Sequence, residues 1–245
     1  MIKFDVKEKT ALVTGANRGI GLAYVEHLIK RGARKVYAGV RDASTFASLK
    51  AIHENVEPVL LDVTRTDHIQ ALAKKIATLD LLINNAGIIH PCFNGADNAA
   101  EIARTEMEAN YLGPLNLTLA LLPALKKSRG VIVNVSSIAG ISNFPSLGPY
   151  SATKAALHSL TQGLRAELQR DGMMVAGVYP GPIDTRMTEH FEMEKAPTSQ
   201  VAERTFAALA KGEVDIFPDS FSEQMYGMFL ANPKELEKTF GGMIQ

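Results

Sequence analysis

Residues 10–21 read TALVTGANRGIG, a short apolar run that passes directly into a glycine-rich turn. The run predicts a buried strand, and the helical periodicity after it predicts a helix that begins inside the turn. Gly15 allows the chain to turn tightly, while Gly19 and Gly21 allow a close approach of a pyrophosphate to the backbone and of the helix to the sheet. A glycine-rich turn alone also fits a plain strand-to-helix connection. Its place at the first strand–helix junction favours a dinucleotide-binding loop.

The alternation of strand-like and helix-like segments continues along the whole chain. The strand-like runs span 10–15, 35–40, 56–63, 79–87, 130–137, 173–181 and 214–217. Helix-like stretches lie near 19–31, 44–52, 66–78, 99–125, 150–170 and 198–211. Strands that are apolar on both faces, each followed by a helix, are typical of a parallel sheet covered on both sides. We therefore predict an α/β fold, a single doubly wound Rossmann-type domain over 1–245 with about seven parallel strands.

Composition excludes several classes of partner. The 245 residues are 46% hydrophobic and 21% charged, and 26 basic residues balance 26 acidic ones, so no nucleic acid or membrane surface is expected. The charged N-terminus does not resemble a secretory signal, and no apolar stretch of membrane-spanning length occurs. Cys92 is the single cysteine, which excludes an intrachain disulfide and fits a cytoplasmic location. No His/Cys cluster indicates a metal site.

The end of the second strand-like run bears on the choice of dinucleotide. It reads AGVRD and lacks the acidic residue that binds the ribose hydroxyls of NAD in many such folds. Arg41 stands at its tip instead, and Arg18 stands inside the glycine loop. Either arginine alone is equally well read as a solvated surface residue. Together, two guanidiniums suit a 2′-phosphate, and they favour NADP(H) over NAD(H).

Five motifs in a fixed order resemble the short-chain dehydrogenase/reductase family. They are T-G-x-x-x-G-x-G at 14–21, N-N-A-G at 84–87, a serine at 137, Y-x-x-x-K at 150–154 and P-G at 180–181. The resemblance extends from residue 9 to about 217. It implies an NADP(H)-dependent enzyme that interconverts a carbonyl and an alcohol by hydride transfer.

Tyr150 and Lys154 have a physical basis for that chemistry. Residues four apart share one face of a helix, so the ammonium can lie beside the phenol. A nearby cation stabilises the phenolate and lowers the tyrosine pKa from its usual value of about 10. Tyr150 is therefore predicted to be the general acid and base. Without the other motifs, such a pair would be read as an ordinary contact on a helix surface.

The resemblance assigns the remaining roles. Ser137 is expected to hydrogen-bond the substrate oxygen, with Ser136 pointing the other way because side chains alternate along a strand. Asn110 is expected to support a proton relay to Lys154. The predicted cofactor-binding residues are Gly15, Asn17, Arg18, Gly19, Ile20, Gly21, Arg41, Asp62, Val63, Asn85, Ala86, Gly87, Tyr150, Lys154, Pro180, Gly181, Ile183 and Thr185.

Substrate contacts are predicted from the loops that leave the same sheet edge. The candidates are His90, Phe93, Ile138, Phe144, Pro145, Met187 and Phe191. The segment near 185–197 is interpreted as a mobile substrate loop, and the tail 218–245 as a helix that packs or covers the site. Small residues on 99–125 and 150–170 allow close helix packing, and the family resemblance implies a homodimer or homotetramer.

Two other functions stay open at this point. S-x-x-K, here SATK at 151–154, also begins the signature of penicillin-recognising enzymes, but their K-T-G and S-D-N partners are missing. A non-catalytic NADP(H)-binding sensor or scaffold on the same fold is the stronger alternative. Such a protein could lose its proton-transfer residues, whereas all four positions are intact here. The intact set favours an enzyme.

Overall fold

The computed structural model describes residues 2–243, and within them seven parallel strands form one sheet in the order β3-β2-β1-β4-β5-β6-β7. The strands are β1 Thr10–Thr14, β2 Lys35–Val40, β3 Val56–Leu60, β4 Leu81–Asn84, β5 Val131–Val135, β6 Met174–Val178 and β7 Asp215–Ile216. The predicted doubly wound parallel sheet is confirmed. Residues 1, 244 and 245 of the predicted single domain lie outside the described part.

The helices cover both faces of this sheet. They are α1 Gly19–Lys30, α2 Phe46–Lys50, α3 Thr66–Lys75, α4 Ala99–Met107, α5 Gly113–Ser128, α6 Gly148–Leu168, α7 Thr198–Lys211, α8 Ser220–Ala231 and α9 Pro233–Gly241. Successive residues of each strand face opposite layers. Ala11 and Val13 pack with α1, α2 and α7, while Leu12 packs with α3, α5 and α6. Burial on both sides explains why the strand sequences are continuously apolar.

β1 and β4 are parallel neighbours at the centre of the sheet, and the strands that follow each of them are added toward opposite edges. Connections from β1 run to one edge of the sheet, and those from β4 run to the other. A crevice opens at such a switch point, outside the carboxyl ends of the strands. The glycine loop after β1 and the loop after β4 therefore meet there.

The predicted helix over 99–125 differs from the one observed. It is divided by a π-helical turn, Glu108–Leu112, and continues to Ser128. Pro114 lacks the N–H that a regular α-helical ladder would require, and a widened turn just before it accommodates this loss. Asn110 lies at the centre of the widened turn. A period-based prediction does not register such a local change of pitch.

The tail also differs from the single helix predicted for 218–245. Asn232 ends α8 and caps α9, with its side chain accepting from the Lys234 N–H, and Pro233 begins the new helix. Leu236 and Phe240 of α9 are fully buried, together with Met225 of α8. The tail is therefore an integral part of the packed structure.

Candidate active site

The glycine loop is built to bring backbone groups close together. Gly15 and Gly19 adopt φ of +63° and +55°, a backbone conformation that is strained for residues with a side chain. A Cβ on Gly21 would lie 2.1 Å from the carbonyl oxygen of Gly15. The loop therefore tolerates only glycine at Gly21, and the first turn of α1 presents its N–H groups beside it.

The loop after β4 is fastened to the glycine loop. Thr14 Oγ1 accepts from the N–H groups of Asn85 and Ala86 at 2.9 Å, and Asn85 Nδ2 donates to the Thr14 carbonyl at 2.8 Å. The Asn85 side chain thus holds the two loops in register. Asn17 lies in the glycine loop, and Ile20 lies in the first turn of α1 that follows it. We call these two joined loops, after β1 and after β4, the floor of the crevice.

The four predicted catalytic residues meet at one side of this crevice. Lys154 Nζ lies over the Tyr150 ring, 5.6 Å from its centroid, and donates to the Val135 carbonyl at 2.9 Å. A Cβ on Gly87 would lie 3.0 Å from Asn110 Oδ1 and 3.6 Å from Lys154 Nζ. The loop after β4 thus passes between the two helices that carry Asn110 and Lys154.

The serine pair at the end of β5 shows the alternation expected of a strand. Ser136 is buried, and its Oγ donates to the Lys154 carbonyl at 2.9 Å, which anchors α6 to the sheet. Ser137 is partly exposed, and its Oγ accepts from the Ala139 N–H at 3.1 Å. The Ser137 hydroxyl also donates to the Pro180 carbonyl at 3.4 Å, and its presence beside Tyr150 lowers the tyrosine pKa. Of the two serines, only Ser137 has a side chain that is not fully buried.

Burial dominates the electrostatics of this cluster. It raises the pKa of Tyr150, against the effect of the neighbouring Ser137 hydroxyl, and the charge of Glu106 raises it further. Burial also lowers the pKa of Lys154 to about 8, against the charge of Glu106. The depressed tyrosine pKa predicted from the Tyr–Lys spacing is not found in the protein alone. A further positive charge beside the phenol would be needed to produce it.

Asn110 is held by its surroundings rather than merely tolerated in its helix. Its Oδ1 accepts from the Ile88 N–H at 2.8 Å, and its Nδ2 donates to the Ile88 carbonyl at 2.9 Å and to Thr153 Oγ1 at 3.0 Å. Thr153 is fully buried and was not predicted from the sequence. Nothing in the sequence of the Y-x-x-x-K motif indicates that this threonine would bind Asn110.

The predicted adenine side of the site lies at the ends of β2 and β3. Arg18 and Arg41 are both exposed, and neither forms a salt bridge within residues 2–243. Burial opposes ionisation of Asp62, but hydrogen bonds from Thr64 and the charge of Arg41 lower its pKa. The charge of Arg41 therefore acts on the Asp62 carboxylate. Val63, the next residue, is buried.

The loop after β6 contacts both the glycine loop and the tail. A Cβ on Gly19 would lie 3.3 Å from Thr185 Cγ2. Asp219, the N-cap of α8, is buried, and its Oδ2 accepts from the Gly181 N–H at 2.8 Å. Pro180 lies two residues after the end of β6, and its carbonyl accepts from the Ile138 N–H. The capping pattern at 219–222 is visible in the sequence, but its partner Gly181 is not.

We use the name cover for the 185–197 segment together with α8 and α9. The base of this segment is closed by a bridge between Ile183 and Ala196. Phe191 packs with Phe144 against Tyr150, and α9 packs on the loop that follows Ser137, with Phe144 and Phe240 rings 5.3 Å apart. The cover therefore lies over the reacting residues.

The other predicted substrate contacts divide into two groups. Ile138 is buried beneath the cover, and Pro145 is partly buried in the loop beside Phe144. Phe93 and Met187 are exposed and contribute little to the packing. His90 turns toward Glu106, a fully buried carboxylate that was not predicted from the sequence.

A parallel sheet with a glycine loop at its switch point defines a nucleotide-binding protein of the Rossmann type. The family model described as short chain dehydrogenase matches residues 9–196. The chain therefore belongs to the short-chain dehydrogenase/reductase family, as the motifs predicted, and the family is one of oxidoreductases. None of the helices in residues 2–243 is both long and apolar enough to span a membrane.

Individual relatives agree with this assignment. An uncharacterized oxidoreductase of Staphylococcus saprophyticus is 34% identical over 84% of this chain and 92% of its own. Estradiol 17-beta-dehydrogenase 2 of Mus musculus is 35% identical over 75% of this chain and 50% of its own. The crystal structure of a short chain dehydrogenase from Burkholderia cenocepacia in complex with NADP has a TM-score of 0.92 and 36% identity, over 97% of this chain and 99% of its own.

Proposed function

We propose that the protein is an NADP(H)-dependent oxidoreductase that interconverts a carbonyl and an alcohol. The observation that carries this proposal is the meeting of Ser137, Tyr150 and Lys154 with Asn110 at the crevice beside the glycine loop. The related Burkholderia structure is a complex with NADP, and in this chain the backbone around Gly15 and Gly21 leaves no room for a side chain at Gly21. When bound, the nicotinamide supplies or accepts the hydride.

The protein's own residues handle the proton. In reduction, Ser137 orients the carbonyl oxygen, and the Tyr150 hydroxyl gives that oxygen its proton. The Lys154 ammonium stabilises the phenolate that remains, since an opposite charge favours the ionised form. Asn110 supports the proton relay to Lys154, and its hydrogen bonds keep the loop at Gly87 and Ile88 in place beside Lys154. Phe191 and Phe144 exclude water from the phenol, which strengthens these interactions.

Arg18 and Arg41 support NADP(H) as the dinucleotide, because both are exposed, Arg18 in the glycine loop and Arg41 directly after β2, and arginine suits a phosphate group. The other predicted contacts, at Asp62, Val63, Ile183 and Thr185, extend the same proposed site. Assembly as a homodimer or homotetramer and a cytoplasmic location stay predictions.

Oxidation of NADPH and of NADH over a panel of ketones and aldehydes tests the proposal. Tyr150→Phe should keep cofactor binding and lose on the order of 10²–10⁴ in turnover, the contribution of general acid catalysis. Tyr24→Phe is the matched control, because it removes another buried hydroxyl on the opposite face of the sheet. A non-catalytic sensor would bind the dinucleotide and turn over no carbonyl at all. Turnover of Tyr150→Phe near the wild-type rate would reject the mechanism.

The dinucleotide preference has its own test. Arg41→Asp should weaken NADPH binding by about 10- to 100-fold, the value of one or two charge-assisted hydrogen bonds, and change NADH binding much less. Titration of both dinucleotides measures the difference. Equal losses for the two would remove the basis for assigning a 2′-phosphate contact to Arg41.

A further inference from the structure

Glu106 is a buried carboxylate that the proposed mechanism does not use. It lies in the last turn of α4 and is 0% exposed. Its Oε1 accepts from the His90 N–H at 2.6 Å and lies 3.2 Å from His90 Nδ1. Its Oε2 is buried and has no hydrogen-bond partner among the atoms of residues 2–243. A buried carboxylate with an unpaired oxygen is costly, so its presence calls for a reason.

The position of Glu106 connects it to the catalytic cluster. Glu106 and Asn110 are four residues apart and hold alternate residues of one loop, because Asn110 binds Ile88 and Glu106 binds His90. The same loop passes Lys154 at Gly87. α4 packs directly against α6, which carries Tyr150 and Lys154. Glu106 hydrogen-bonds His90 of the loop, and its charge acts on Lys154 and Tyr150 across the contact between the two helices.

The partner of Glu106 connects the cluster to solvent. The His90 side chain is 49% exposed, whereas Glu106 and Lys154 are almost completely buried. Imidazole groups take up and release protons at physiological pH. One half-exposed histidine, one buried carboxyl and one buried lysine therefore form a series from the surface to the tyrosine.

We propose that Glu106 and His90 form the route by which protons pass between solvent and Lys154, an inference that rests on the proposed function. In reduction, Tyr150 gives its proton to the substrate oxygen and takes one from the Lys154 ammonium. The resulting amine takes a proton from the Glu106 carboxyl, through one water where the gap exceeds a hydrogen bond. The Glu106 carboxylate takes a proton from the His90 imidazolium, and the imidazole takes one from solvent. One solvent proton is consumed per hydride, and oxidation reverses each step.

The electrostatics of the pair suit such a transfer. Burial raises the pKa of Glu106, against the hydrogen bonds from His90 and the charges of His90 and Lys154. Burial lowers the pKa of Lys154 to about 8. The two groups are thus brought closer in proton affinity than a carboxyl and an amine in water, and a proton passes more readily between groups of similar affinity.

Kinetics of variants test the route. Glu106→Gln keeps the shape of the side chain but cannot release a proton, so kcat for reduction should fall by about 10- to 100-fold. NADPH binding should stay within about 2-fold, because ΔΔG values of separated sites are independent. The solvent deuterium isotope effect on kcat should rise as proton supply becomes limiting. Glu108→Gln, an exposed carboxyl on the adjoining turn, is the matched control and should behave as wild type.

Two further variants keep the test decisive if Glu106→Gln unfolds. Glu106→Asp retains a carboxyl and should recover part of the lost kcat. His90→Gln retains the backbone donor to Glu106 and should lose turnover that added imidazole restores, since the site of His90 is open to solvent. Wild-type kcat and isotope effect in Glu106→Gln, or in His90→Gln without a response to imidazole, would overturn the route.

A titration without cofactor or substrate separates this proposal from the proposed function. The Lys154 Nζ resonance, followed by NMR in lysine-labelled protein, should titrate at lower pH in Glu106→Gln because a neighbouring negative charge is gone. An unchanged Lys154 titration would count against the coupling whatever the substrate is. An active Tyr150→Phe variant would reject the proposed function, whereas an inactive Tyr150→Phe with a fully active Glu106→Gln would reject only the proton route.

Discussion

The floor of the crevice and its cover are held together by different interactions. The floor, formed by the loops after β1 and β4, is joined by short hydrogen bonds between backbone and side chains such as those of Thr14 and Asn85. The cover rests mainly on apolar packing of Phe144, Phe191 and Phe240 around Tyr150 and the loop after Ser137. Directional bonds fix the reacting groups, while apolar contacts can be exchanged for others of similar volume. The floor is therefore suited to conserve one chemistry and the cover to set which substrate enters.

The largest effect is expected from adding a side chain at Gly21, where the floor has no space for one. Gly21→Ala places a methyl group against the Gly15 carbonyl, so unfolding free energy should fall by about 3 kcal/mol or more and dinucleotide binding should be lost. Gly163→Ala is the matched control, because its helix position is exposed and a Cβ meets only Glu167 Oε1 at 3.9 Å. The control should gain about 0.5–1 kcal/mol. Denaturant unfolding and dinucleotide titration measure both, and normal binding in Gly21→Ala would show that the floor is adaptable.

Burial of the Lys154 ammonium should lower the free energy of unfolding, and replacing this residue should measure by how much. Its pKa is about 8 in the folded protein and 10.5 without burial, so the unfolded chain binds more protons between these values and stability rises with pH there. Lys154→Met removes a buried cation, which should stabilise the protein by up to about 3 kcal/mol below pH 8. The gain should shrink from pH 8 toward 10.5. Unfolding at several pH values checks this, and a less stable variant at pH 7 would contradict it.

Asp219 joins the loop after β6 to the cover, so its loss should affect both stability and dinucleotide binding. Its carboxylate accepts from Gly181 N–H and from Ser222 N–H and Oγ. Asp219→Ala leaves these donors unpaired and should lower the unfolding free energy by about 1–3 kcal/mol and weaken dinucleotide binding. Asn232→Ala removes another helix cap, distant from Gly181, and should cost about 1 kcal/mol without changing binding. Equal dinucleotide affinity in the two variants would separate the tail from the cofactor loop.

The smallest effect on stability is expected in the cover itself. Phe191→Ala removes partly buried packing beside Tyr150, so the unfolding free energy should fall by only about 1 kcal/mol. The KM for any accepted carbonyl should change about 10-fold while dinucleotide affinity stays constant, because the change lies on the substrate side. Phe93→Ala, an exposed aromatic position, is the control. A dinucleotide affinity that changes as much as KM would end the distinction between floor and cover.

Much of this structure was predictable, because its determinants are local. Apolar runs bounded by glycine turns identify strands buried on both faces, and the tight spacing of Gly15, Gly19 and Gly21 specifies a turn that only glycine can make. The Tyr150–Lys154 spacing guarantees a shared helix face. The strand ends were predicted too long at several places, since apolar residues that leave a strand, such as Leu61, Val63 and Tyr179, are buried as well.

The interactions that set the charges of the site were not predictable, because their partners are distant in sequence. No local sequence feature distinguishes Glu106 from the other glutamate of its helix; it is buried because the loop after β4 packs over it. Asp219 is a recognisable cap, but only folding brings Gly181 to it. The direction of the Tyr150 pKa likewise depends on burial by the cover, which no spacing reveals.

The sequence by itself determined the alternating strands and helices, the glycine turn and the residue types available for hydride chemistry, because propensity, periodicity and glycine conformation act over a few residues. Only the tertiary structure decided which groups are buried, which carboxylate acts on the pKa of Lys154 and how the tail packs on the loop after Ser137. Desolvation and packing depend on everything that surrounds a group, and most of those neighbours lie far away along the chain.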